Sequence, residues 1–129
     1  MQLRTRLGLV FGLALAVQAG TGDSAAAQTA APAGVTPEAV AKGDTIFHKT
    51  GLCYACHGNN AEGTVGPNLT DGEWIHGDGS LESIIATVAA GVPKEKAKNG
   101  IPMPPKGGSS ISEEDVKAVS AYVYSLSHK

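Results

Sequence analysis

The sequence predicts an all-α fold, and three observations predict it. Leu81, Ile84, Ile85 and Val88 fall at i, i+3, i+4 and i+7, the spacing of a stripe buried along one face of a helix. Ser112-Glu113-Glu114-Asp115 resembles a capping box, and Ile111 and Val116 are placed to close a hydrophobic staple around it. No stretch alternates apolar and polar residues over the length of a strand, and no internal repeat is visible.

The chain has 129 residues, enough for one domain, but it does not begin as one. Arg4 and Arg6 precede an uncharged run from Leu7 to Ala19, and small residues follow. A basic start, an apolar middle and small residues at the exit read as a secretory signal peptide. Cleavage after Ala27 leaves the usual spacer; cleavage after Ala19 also satisfies the small-x-small rule. The competing reading is an uncleaved anchor. A spanning helix needs about 20 predominantly apolar residues, whereas this run is shorter and contains Gly8 and Gly12. The expected organisation is therefore a signal peptide over 1–27, a flexible leader over 28–35 and one domain over 36–129. Loss of Arg4, Arg6 and Asp23 takes the net charge from −2 to −3. The lysines form no long basic face and aromatics are scarce, which excludes nucleic acid as a partner. No second apolar run of spanning length follows, so membrane insertion after cleavage is not expected.

Thr36-Pro37 supplies an N-cap with proline at the first helical position, and the helix should run from Pro37 to about His48. Val40, Ile46 and Phe47 give it one narrow apolar face, with Gly43 among them. Glycine weakens a helix relative to alanine, so Gly43 reads either as a close approach of another helix or as a tolerated surface glycine. Gly51 ends the helix, and Cys53-Tyr54-Ala55-Cys56-His57 follows on a short helical turn. Residues 58 to 66 are polar and turn-forming, and Gly66-Pro67-Asn68-Leu69 comes next. Thr70 to His76 reads as a short helix carrying Trp74, with a turn at Gly77-Asp78-Gly79. Ser80 caps the amphipathic helix, which stops at Gly91 with Pro93 just beyond. Val92 to Ser110 has no period and holds Met103 between Pro102 and Pro104; loops this long in compact domains are commonly functional. The last helix buries Val116, Val119, Tyr122, Val123 and Leu126, and its three acidic residues complement the dipole at its start.

The chemistry is concentrated in Cys53-x-x-Cys56-His57. Two thiols two residues apart, with a histidine directly after the second, meet the requirement for covalent haem attachment. Each thiol forms a thioether with one vinyl group, and His57 becomes the proximal axial ligand of the iron. A disulfide between the same cysteines would close a tiny loop of little entropic value and leave His57 unexplained. A zinc module would need a second ligand pair at recognisable spacing, and none is present. A thiol oxidoreductase would need a βαβ context that is missing.

A second axial ligand must come from another part of the chain. Met103 is held by prolines in an irregular loop, a good way to present a weak thioether ligand. Its alternative role is a core gap-filler. His76 is the next candidate and would give bis-histidine ligation at lower potential. His48 and His128 sit at helix ends and are expected to be exposed. The carbonyl of Pro67 is placed to accept from the other nitrogen of His57, fixing its tautomer. Trp74 reads equally as a donor to a haem propionate or as packing. The helices offer few aliphatics for a core, and small domains bury a low fraction of their surface. The macrocycle is therefore expected to complete the core, leaving the haem-free chain largely unfolded.

In order, Gly43-x-x-x-Phe47, Cys53-x-x-Cys56-His57, Gly66-Pro67-Asn68-Leu69, Met103-Pro104 and Tyr122-Val123-Tyr124-Ser125-Leu126 resemble the bacterial class I c-type cytochromes. The resemblance implies a cytochrome c fold: three to five short helices around one covalently attached haem c. The N- and C-terminal helices cross, with Gly43 and Phe47 meeting the Val119/Tyr122 face. It implies His57/Met103 ligation and the Pro67 contact. Residues 69–77 look like the cytochrome domains of some oxidase subunits, whereas residues 103–108 are similar to free periplasmic carriers. The expected function is one-electron transfer in the periplasm, without enzymatic activity. The expected donor and acceptor are an oxidase, reductase or dehydrogenase, met as a monomer or in a transient complex. The alternative is a c-type haem protein with an open iron site, acting as a sensor or an enzyme. Lys94, Lys96, Lys98 and Lys106 flank Met103 and read equally as a docking patch for an acidic partner or as solubilising charge.

Overall fold

Helix α1 (Pro37–His48) forms where Thr36 leaves extended backbone and its side chain accepts the Ala39 amide at 3.2 Å. The computed structural model describes residues 30–129. The expected signal peptide and the first two leader residues lie outside the described residues. Within the leader, residues 32–35 form a turn, with the Val35 amide donating to the Pro32 carbonyl at 3.0 Å. Past His48 the chain turns back on itself, the Lys49 and Gly51 amides both donating to the Ile46 carbonyl. Helix α2 (Tyr54–His57) is a single turn carrying the Cys-His motif. Helix α3 (Leu81–Ala90) starts at Ser80, whose side chain accepts the Ser83 amide, and stops at Gly91. Helix α4 (Glu113–Ser127) has a complete capping box between Ser112 and Asp115. Among the described residues there is no strand, only an isolated antiparallel bridge between Val92 and Met103.

One expected element is missing. Thr70 to His76 is a succession of bends and not a helix. The reason is local capture of backbone donors by side chains. Asn68 Oδ1 accepts both the amide and the hydroxyl of Thr70, and Asp71 Oδ1 accepts the Glu73 amide. Asp78 Oδ1 then takes the Ser80 amide. Asn68 and Asp71 thereby close local turns in place of a helical one.

The core lies where α1 and α3 pack on α4. Phe47 and Val116 are completely buried and Val119 is 1% exposed. Gly43 resolves as a close approach and not as a surface glycine. It is buried, and a Cβ there would strike the Ala118 carbonyl oxygen and stand 2.7 Å from Tyr122 Cβ. Phe47 then meets Tyr122 edge-on, with ring centroids 5.4 Å apart. An exposed ion pair, Lys42–Asp115 at 2.8 Å, also joins the two helices, although such pairs contribute about 1 kcal/mol at most. Among the described residues no helix is long and apolar enough to cross a membrane.

A candidate haem cleft

Beside the core, α2, α3, α4 and the segments that connect them leave a cleft that is partly open to solvent. Cys53, Cys56, His57, Pro67, Trp74 and Met103 all line it, although they are spread over fifty residues of sequence. His76 lines it as well. Around them the wall is largely aliphatic, with Ile84, Val88 and Val123 at its back.

The first turn of α2 sets one wall. Leu52 enters it in the left-handed region at φ 55°, and the His57 amide bonds the Cys53 carbonyl at 3.0 Å. Cys56 is exposed and Cys53 half-buried. Burial pushes the Cys53 thiol up to about 11. That wall therefore accepts an uncharged sulfur, which is the state of a thiol and equally of a thioether.

His57 is 8% exposed, and its Nδ1 lies 2.9 Å from the Pro67 carbonyl oxygen. A carbonyl can only accept, so Nδ1 carries the proton and Nε2 keeps a lone pair free for a metal. Burial lowers the affinity of the ring for a second proton, and the Pro67 carbonyl offsets this only in part. The loop that brings Pro67 here is closed by two bonds to Cys56, whose carbonyl accepts from the Gly66 amide at 2.8 Å and the Thr64 hydroxyl at 2.7 Å. Gly66 backs the imidazole so closely that a Cβ would stand 2.8 Å from His57 Cε1.

Met103 reaches the cleft from the irregular segment after α3. Two backbone bonds with Val92, at 2.8 and 2.9 Å, hold it. Gly91, at φ +72°, makes room, since a Cβ would strike the Met103 carbonyl and lie 2.8 Å from Pro105 N. Trp74 is half-buried and its indole lies over Gly79, where a Cβ would be 2.7 Å from Trp74 Cε2. These three glycines were invisible as site residues in the sequence, where each reads as an ordinary turn or cap.

The flanking lysines divide. Lys106 is tied to Glu113 at 2.9 Å, whereas Lys94, Lys96 and Lys98 are exposed. His48 departs from expectation: it is only partly exposed, and both its ring nitrogens face backbone carbonyls. His128 is exposed, as expected.

The family profile for cytochrome c matches residues 40–127. The chain belongs to the cytochrome c family. This cytochrome c is 41% identical over 92 residues to the cbb3-type cytochrome c oxidase subunit CcoP of Rubrivivax gelatinosus, covering 70% of this chain and 27% of that one. To the cbb3-type cytochrome c oxidase subunit FixP of Sinorhizobium medicae (strain WSM419) it is 33% identical over 130 residues, covering 95% and 44%. The chain thus spans less than half the length of these curated relatives. Among solved structures it is similar in fold to cytochrome cL from Methylophaga aminisulfidivorans MPT, with a TM-score of 0.55 at 21% identity over 73% of this chain and 57% of that one. As a member of the family the chain carries haem c, covalently attached through Cys53 and Cys56. The neutral-sulfur wall, the free lone pair of His57 and the aliphatic back of the cleft fit that group.

Proposed function

We propose that the protein is a one-electron carrier of the periplasm, exported by the signal peptide over 1–27 and exchanging electrons with an oxidase, reductase or dehydrogenase. The observation that carries this reading is the convergence of Cys53, Cys56, His57 and Met103 on one apolar cleft. Haem c in that cleft supplies an iron that alternates between ferric and ferrous states. Cys53 and Cys56 would hold the ring, and His57 would ligate through Nε2 while Pro67 fixes its tautomer and plane. Met103 would supply the second ligand to the iron, and a thioether there would raise the potential relative to two imidazoles. Val92 and Gly91 fix its backbone, whereas His76, on a run of bends, has no comparable support. Ile84, Val88 and Val123 exclude water and disfavour the extra charge of the oxidised state, moving the potential in the same direction. Trp74 completes the wall or donates its indole hydrogen to a propionate.

With His57 and Met103 both bound to the iron, no coordination site would remain for a substrate, and the protein would not be an enzyme. Leu52, Val65, Ile75 and Ile101 are the exposed large apolar residues among those described, and all four line the cleft. A redox partner would approach over this rim, with Lys94, Lys96 and Lys98 at one side as a basic contact for an acidic protein. The similarity to cbb3 oxidase subunits favours an oxidase as that partner. Exposure of the reduced protein to carbon monoxide tests the reading. No binding is expected on the timescale of mixing, and rapid stoichiometric binding would instead establish an open iron site.

A further inference from the structure

His48 ends α1 with acceptors on both sides of its ring. Nδ1 lies 2.9 Å from the Asp44 carbonyl and 2.9 Å from the Asp44 carboxylate. Nε2 lies 2.7 Å from the carbonyl of Asn59, in the loop that follows the haem motif. Carbonyl and carboxylate oxygens only accept, so a neutral ring, with one N–H, satisfies one side and points a lone pair at the other. Only the imidazolium donates to both.

We propose that His48 is a proton-operated latch joining α1 to the loop at residues 58–61, closed by the imidazolium and opened at Asn59 when the ring loses its proton. The proton lost is the one on Nε2. Nδ1 has two acceptors, one of them charged, and keeps its own; the bare Nε2 is then left 2.7 Å from the Asn59 oxygen, and the two lone pairs repel. The loop so released leads from His57 towards Gly66 and Pro67, which back and orient that ring. His48 is accordingly a positioning residue acting through the loop.

The surrounding groups favour the closed state. Asp44 on α1 is the charge that faces the ring. From α2 the ring of Tyr54 stacks on His48 at 6.4 Å and 18°, and from α4 Tyr122 meets it edge-on at 6.2 Å. Burial, then the Asp44 charge, push the Tyr122 phenol up. Within the loop, Glu62 accepts the Asn60 amide at 2.8 Å. The Asn59 carbonyl and then the Asp44 carbonyl raise the proton affinity of His48 above its ordinary value of 6.5, against a smaller opposing effect of burial. A group raised in the folded state contributes its stabilisation fully below the unfolded value. That stabilisation is lost as pH rises through the folded value, so the latch opens on the alkaline side of 6.5.

The test is a pH titration of the reduced, haem-loaded protein, labelled with ¹⁵N and ¹³C, by NMR. Three results are expected: a His48 midpoint above 6.5, a neutral ring in the Nδ1–H form, and Asn59 carbonyl and Asn60 amide shifts following the same midpoint. In His48→Gln the loop shifts should lose that titration. In Asp44→Asn, which keeps the histidine, the midpoint should fall and the Nδ1–H preference weaken. A midpoint at or below 6.5, an Nε2–H neutral ring, or loop shifts that still titrate in His48→Gln would overturn the proposal.

Discussion

The α-carbon of Gly43 on α1 lies directly against the carbonyl of Ala118 on α4, with no room for a methyl group between them. This contact brings Phe47 onto Tyr122 and seats the first helix on the last. Gly43→Val should destabilise the haem-loaded protein by about 3 kcal/mol, because the obstacle is backbone and cannot swing aside. Denaturant unfolding followed by far-ultraviolet circular dichroism checks this. A loss below about 0.5 kcal/mol would mean that the helices do not meet there.

Phe47 fills the space that this contact encloses and is completely buried. Phe47→Ala should cost about 3–5 kcal/mol, the transfer term plus the cavity left behind. Thermal melting of the two haem-loaded proteins gives the difference.

Ser120 is a buried hydroxyl on α4 with no hydrogen-bond partner among the described residues. Leaving a polar group unpaired costs about 1–3 kcal/mol. Ser120→Ala should therefore raise the melting temperature, corresponding to about 1 kcal/mol of added stability. A comparable loss would show that the hydroxyl finds a partner in the haem-loaded protein.

The ligand loop makes a sharper prediction. Met103→Ala should abolish the sulfur-to-iron charge-transfer band of the oxidised protein and lower the reduction potential, whereas His76→Ala should leave both unchanged. Gly91→Val should weaken the same band without touching either ligand, because its side chain would displace the Met103 and Pro104 backbone. Persistence of the band in Met103→Ala would remove Met103 from the iron.

These predictions draw unequally on the sequence. The three long helices were legible because their signals are local: Thr36-Pro37, Ser80 with Gly91, and the Ser112/Asp115 box each act within a few residues. The Cys-His motif was legible for the same reason, since its chemistry lies in five adjacent residues. Thr70 to His76 was misread because helix propensity there loses to the local turns closed by Asn68 and Asp71, each of which also has an ordinary helical reading. The setting of Met103 was hidden, because its two bonds to Val92 bridge an irregular segment of ten residues that carries no period. Gly66, Gly79 and Gly91 were hidden as site residues because what they exclude lies elsewhere in the chain. His48 carried one local hint, Asp44 four residues before it, but nothing in the sequence announces Asn59 on its far side.

Covalent attachment of haem through both sulfurs is the claim on which the rest depends. It is tested most directly by acid-acetone extraction of the protein, made in a host that matures c-type cytochromes. All visible absorbance should stay with the precipitated polypeptide, and a Cys53→Ala, Cys56→Ala double variant should retain none. Colour that leaves with the solvent, or a native protein that is colourless from the start, would contradict the account.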